Sequence, residues 1–215
     1  MTSLGTLIFG VIGVLFVAGI VALIWLATRD ANNMTKVLQS GGWAVERGAA
    51  GSATKWSARR VKGGVTTRID VVAMGVQAKS VWTHVRTEAD TGDDDVLVER
   101  KAPAFMAADG KLAAVLGFTP PPRWNGATAA LNERYNAYAS SDRVANRWLS
   151  AANQRALLEH HENAPHPVNV RVFGGEIEAR WAREPRDATQ LEAVVALLES
   201  LLRGRVVHLY DGEPK

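Results

Sequence analysis

The sequence predicts one N-terminal transmembrane helix followed by an α+β domain, a mainly antiparallel sheet with two or three packed helices. Three observations carry this. Leu4 to Thr28 contains no ionisable side chain, two Gly-Gly pairs each join segments of strand character, and Thr189 to Arg203 carries a broad apolar stripe. The expected organisation is an anchor over residues 1–30, a helical linker over 31–42, a globular domain over 43–210 and a tail over 211–215.

The anchor follows from length. A helix rises about 1.5 Å per residue, so about 20 apolar residues cross a hydrocarbon core of about 30 Å. Trp25 near the end of the run suits the interfacial aromatic belt. A cleaved signal peptide would begin with a positive segment, whereas Met1-Thr2-Ser3 has no basic side chain and no A-x-A site follows. No Lys or Arg precedes the run, while Arg29, Lys36 and Arg47 follow it. That asymmetry places the C-terminal domain in the cytoplasm and the short N-terminus outside. Ala18 and Ala22 make one small-xxx-small pair, a weak cue for self-association.

Within the domain, Asp30 to Gln39 extends a helix that Gly41-Gly42 ends, because glycine accepts the left-handed C-terminal conformation. Trp43 to Val45 reads as a short strand. TKWSARRV and VTTRIDVV flank Lys62-Gly63-Gly64, and Val65, Thr67, Ile69 and Val71 alternate with Thr66, Arg68 and Asp70. This is a hairpin with a half-buried second strand. Ser80 to Thr87 places Val81, Thr83 and Val85 opposite Trp82, His84 and Arg86. Glu88 to Asp95 is an acidic turn without the ligand spacing of a calcium loop, so it reads as a solvated connection to a strand over Val96 to Arg100. Lys111 to Phe118 leads into Thr119 to Trp124, where three prolines impose an extended crossover on the domain surface.

Glu133 to Ser140 reads as a strand, with Tyr135 and Ala137 opposite Asn136 and Tyr138. Ser141 or Asp142 caps a helix striped by Val144, Ala145, Trp148 and Leu149, which either continues or caps again at Ser150 and runs to His161. Val168 to Phe173 and Glu176 to Trp181 form a second hairpin about Gly174-Gly175. Leu191, Val194, Val195, Leu198, Leu201 and Leu202 form the stripe of the last helix, Gly204 stops it, and Arg205 to Leu209 adds an edge strand.

Composition excludes several functions. The chain has no cysteine, which removes disulfides, thiolate metal sites, cysteine nucleophiles and Fe–S clusters. Its net charge of +3 is small and its charges are interspersed, so no nucleic-acid partner is expected. G-x-S-x-G, the phosphate-binding G-x-x-x-x-G-K-[ST] and H-E-x-x-H are absent. His160, His161 and His166 are the densest ligand-type cluster, and they are weak metal candidates. Adjacent residues on a helix diverge by about 100°, and His166 lies between two prolines. No catalytic residue and no cofactor is expected.

Interaction chemistry is better represented. The chain has seven tryptophans, and Trp56 and Trp82 lie beside Arg or His on the more polar sides of their strands. Together with Trp124 beside the prolines and Tyr138, they are the interaction candidates, since exposed aromatic patches mark interfaces.

The run from Leu131 to Val207 resembles the C-terminal part of an uncharacterised family of bacterial membrane-anchored proteins. The matching features are Asn132-Glu-Arg-Tyr-Asn-Ala-Tyr138, Ser140-Ser-Asp142, Ala156-Leu-Leu158, the Gly174-Gly175 hairpin and the last helix, with Gly42-Trp43 after the anchor. Many members carry two anchor helices where this chain has one. The family has no established activity, so the resemblance implies architecture and no catalytic residues.

The resulting expectation is a membrane-anchored accessory or scaffolding protein, with the bilayer and a protein of a membrane assembly as partners. Two alternatives stand beside it: a metal-dependent or hydrolytic enzyme, and a lipid-headgroup or small-ligand binding module using Arg59, Arg60, Arg68 and Arg86.

Overall fold

A computed structural model describes residues 15–21, 33–49, 51–74, 80–101, 120–164 and 166–205. The chain divides into two compact units, Met1–Trp43 and Ala44–Lys215. In the first, helical residues 15–21 (α1) precede helix 33–40 (α2). Gly42 has φ +82°, the Trp43 amide donates to the Leu38 carbonyl and the Gly42 amide to that of Gln39. This is a Schellman termination with glycine at its left-handed position. Among the described residues no helix is long and apolar enough to cross a membrane, and most of the anchor expected over residues 1–30 lies outside them.

The second unit is an α+β domain. Its strands are β1 (Ala44–Arg47), β2 (Thr54–Lys62), β3 (Val65–Met74), β4 (Ser80–Glu88), β5 (Val96–Arg100), β6 (Tyr135–Ala139), β7 (Asn169–Phe173) and β8 (Glu176–Ala182). They form one sheet in the order β1-β2-β3-β4-β8-β7-β5-β6, with every neighbouring pair antiparallel. Both Gly-Gly turns have two residues in the left-handed region, at φ +59° and +79° for Gly63-Gly64 and +56° and +85° for Gly174-Gly175. Such turns carry the twist that joins antiparallel strands.

Among the described residues four helices follow β5: α3 (Ala129–Arg134), α4 (Asp142–Trp148), α5 (Ala151–Asn163) and α6 (Ala188–Gly204). Ser141, Ser150 and Asp187 cap α4, α5 and α6, each accepting from a backbone amide three residues on. The chain therefore caps again at Ser150. Helix α3 corrects the strand expected from Glu133: Thr128 caps it through the Leu131 amide, Leu131 is fully buried, and Gln154 of α5 accepts the Thr128 amide. Those tertiary bonds shorten the strand to Tyr135–Ala139.

The core lies between the sheet and α6. Ile69, Val71, Val85, Ile177 and Ala179 are buried on one sheet face, against Leu191, Val194, Val195, Leu198 and Leu201 of α6. A fully buried side chain of this kind contributes roughly 1.5–3 kcal/mol. Leu197 is buried as well, whereas Leu202 is only half-buried.

The acidic turn is structural as well as polar. Asp94 is buried and its Oδ2 accepts from Trp148 Nε1 at 2.8 Å and Arg147 Nη1 at 2.9 Å, while Asp95 pairs with Arg171. At the other end of the sheet order, the proline segment closes the β6 edge. The Ala139 amide donates to Pro122 O and the Trp124 amide to Ala137 O. Proline has no N–H to offer a further strand, which blunts that edge. The edge strand expected over 205–209 lies outside the described residues except for Arg205.

Candidate functional site

Register on the sheet face turned away from α6 aligns the basic side chains. Arg59 of β2, Arg68 of β3 and Arg86 of β4 stand directly opposite one another, followed by Glu178 of β8 and Arg171 of β7. Like charges placed directly across a sheet are destabilising, so three consecutive arginines require compensation. Asp70 and Glu178 supply it. Arg68 Nε donates to Asp70 Oδ1 at 3.0 Å, and Arg86 Nε to Glu178 Oε1 at 3.0 Å, with Arg86 Nη1 3.5 Å from Asp70 Oδ2. His84 Nδ1 lies 2.7 Å from Glu178 Oε1.

These carboxylates are deep: the Asp70 and Glu178 side chains are 8 % and 5 % exposed, against 60 % for Arg68. Burial alone would push the Glu178 carboxyl up. The hydrogen bond and charge of His84, together with Arg86, outweigh it and hold the carboxyl below the ordinary range. The result is a polar network whose acids lie beneath the plane and whose arginines reach outward.

Arg60 belongs to the other face, where it forms a bidentate pair with Glu192 of α6 at 2.9 and 3.1 Å. The four arginines of the binding-module reading are thereby split three to one. Trp56 and Trp82 are split too. Trp56 shares its row with Val71 and Thr83 on the α6 side, its Nε1 3.4 Å from Glu184, while Trp82 lies on the opposite face with His84 and Arg86. Both are half-buried, and they do not form one patch. Trp124 is 9 % exposed, a packed ring with Gly126 against it, and Tyr138 is half-buried opposite Leu97.

The histidines gather near the C-terminal end of α5 without forming a metal set. His161 Nδ1 lies 3.1 Å from the hydroxyl of buried Tyr135, and the rings meet edge-on at 5.2 Å. His160 Nε2 and His166 Nε2 are buried without a hydrogen-bond partner. Among the described residues no group of three or more His, Asp or Glu side chains could hold a metal ion. Burial pushes all three imidazoles down, helped by His161 at His160 and by arginines at His161 and His166. Burial likewise pushes the Tyr135 phenol up to about 12, with Arg100 opposing.

These shifts predict how stability responds to acid. A depressed imidazole refuses a proton that the unfolded chain accepts, so stability is present above about pH 6.5 and falls as pH drops below it. Glu178 acts lower: its contribution is present above the ordinary carboxylate range and is lost as pH falls through its depressed value. The thermal midpoint should therefore descend in two stages between pH 7.5 and 3.5, and His160→Gln should make the first stage shallower. A midpoint constant from pH 7.5 to 5 would contradict the assignment.

Sequence reasoning missed Asp70 and Glu178 as organising groups. Their only local signal is two-residue spacing, Arg68 to Asp70 and Glu178 to Arg180. The arginine row itself needs the register of three strands. No protein-family model matches the chain, and no curated protein or solved structure is significantly similar to it.

Proposed function

We propose that the chain is a single-pass inner-membrane protein whose cytoplasmic α+β domain serves as an accessory or scaffolding subunit, acting through protein–protein interaction. The observation that supports this most directly is the surface of α1. Leu15, Phe16, Val17, Ile20 and Val21 are 66 %, 69 %, 59 %, 42 % and 59 % exposed. Keeping each in water forgoes roughly 1.5–3 kcal/mol of burial, an arrangement suited to lipid. These residues lie inside the uncharged run from Leu4 to Thr28. An anchor confines the domain to the plane of its partner and raises the effective concentration of the second contact.

The test joins topology to partnership. Fused at the C-terminus, a fluorescent reporter should be active and alkaline phosphatase silent, because the basic residues follow the apolar run. Cross-linking in membranes followed by purification in non-ionic detergent should recover one partner in stoichiometric amount. Full phosphatase activity would reverse the orientation. Recovery of the chain in the soluble fraction, or without a stoichiometric partner, would overturn the reading.

A further inference from the structure

The face turned away from α6 holds a groove of about 570 Å³ lined by Arg59, Arg68, Arg86, Glu46, Glu88 and Glu176, among others. Its size falls in the range of small-ligand sites, roughly 300–1,000 Å³. All six charged residues belong to adjacent strands, so the backbone fixes their relative positions.

The arginines are held in a particular way. Asp70 and Glu178 take the Nε edges of Arg68 and Arg86, and both carboxylates are buried beneath the row. Among the described residues Arg68 makes no other hydrogen bond, and Arg59 makes no ion pair. The outer guanidinium nitrogens of Arg59 and Arg68 therefore remain for an acceptor in the groove. A carboxylate is satisfied by one guanidinium fork, whereas a phosphate offers enough oxygens for several neighbouring forks.

A simple anion nevertheless does not suit this groove. Glu88 and Glu176 are direct cross-strand partners. They stand one same-face step from the arginine row, about 6.6 Å along the strands. Neither forms an ion pair among the described residues, and neither does Glu46 on β1. With Arg68 and Arg86 already matched by the buried acids, an oxyanion alone meets uncompensated carboxylates. A cation alone leaves the outer nitrogens of Arg59 and Arg68 without an acceptor. A ligand carrying both charges, a few ångströms apart, satisfies both rows.

We infer that this groove binds a zwitterionic aminoalkyl phosphate, with its phosphate on the outer nitrogens of Arg59, Arg68 and Arg86 and its ammonium on Glu88 and Glu176. The same chemistry occurs as a phospholipid headgroup and as a free phosphate ester. The inference does not rest on the anchor, because the groove lies wholly within Ala44–Lys215.

Calorimetric titration of the full chain in non-ionic detergent tests it, with O-phosphoethanolamine as probe and inorganic phosphate and ethanolamine as its two halves. The probe should bind saturably and about tenfold tighter than either half. Arg59→Gln should weaken it about tenfold. Combined Glu88→Gln and Glu176→Gln should weaken the probe equally while leaving phosphate binding unchanged or tighter. Arg59 and Glu88 are exposed, and unaltered circular dichroism confirms that the variants fold. Repeating the titration in nanodiscs separates the sources. Loss of probe binding in phosphatidylethanolamine discs, retained in phosphatidylglycerol discs, identifies the lipid headgroup, and equal binding in both identifies a free ester. No saturation below about 10 mM, phosphate binding as tightly as the probe, or indifference to the Glu substitutions would overturn the inference.

Discussion

Replacing both residues of Gly174-Gly175 by valine should lower the thermal midpoint by about 5–15 °C, and more than the same change at Gly63-Gly64. All four glycines lie at φ between +56° and +85°. An L residue there costs roughly 1–2 kcal/mol, and β-branching aggravates it. Two such residues cost about 2–4 kcal/mol, offset slightly because valine also restricts the unfolded chain. In a chain of this size each kcal/mol moves the midpoint by about 2–4 °C. The two turns differ in their surroundings. Nothing lies within 4 Å of a Cβ at Gly63 or Gly64. Gly175 instead donates its amide to Thr91 Oγ1 and accepts the Ala89 amide on its carbonyl. Strain at the second turn therefore spreads into the acidic loop that positions Asp94. Differential scanning calorimetry decides it: equal midpoints for both double variants and the parent would remove the two-residue-turn account.

Those hairpins were legible because their signal is local. A Gly-Gly pair between alternating strands specifies turn type, register and buried face within about twenty residues. The stripe of α6 was legible for the same reason. What escaped depends on distant partners. Thr128 and Leu131 start α3 because Gln154 of another helix accepts a backbone amide and Leu131 finds a fully buried seat. On β2 both parities carry arginine, so alternation could not say which side faced the core. Trp56 and Arg60 lie on the α6 side because Glu184 and Glu192 meet them there. The arginine row depends on register among three strands, and Asp94 on a tryptophan fifty-four residues away. Within the candidate site, the residue types were visible and their assembly was not.

The same distinction gives the second large effect. Asn153 is 1 % exposed, and its Nδ2 donates at 2.9 Å to both Trp148 O and Leu201 O, tying the turn between α4 and α5 to the end of α6. Ser150 Oγ reinforces the link by donating to Gly204 O. Asn153→Asp alters almost no volume but removes both donors and turns a carboxylate toward two buried carbonyl oxygens. Leaving such groups unpaired and adding a buried charge costs roughly 3–5 kcal/mol. The midpoint at neutral pH should fall by about 6–20 °C. The pH dependence of that deficit identifies its cause. Burial among carbonyls raises the introduced carboxyl's folded pKa above its unfolded value, so the protonated form, which can donate one hydrogen bond, fits the folded state better. The deficit relative to the parent should be smallest below about pH 4 and grow as pH rises through the raised value. Asn153→Ala removes the same donors without a charge, and its deficit should not change with pH. If Asn153→Asp and Asn153→Ala show parallel deficits from pH 4 to 7.5, burial of a charge is not what the substitution introduces, and if Asn153→Ala shows no deficit, the two carbonyl oxygens do not depend on the Asn153 amide.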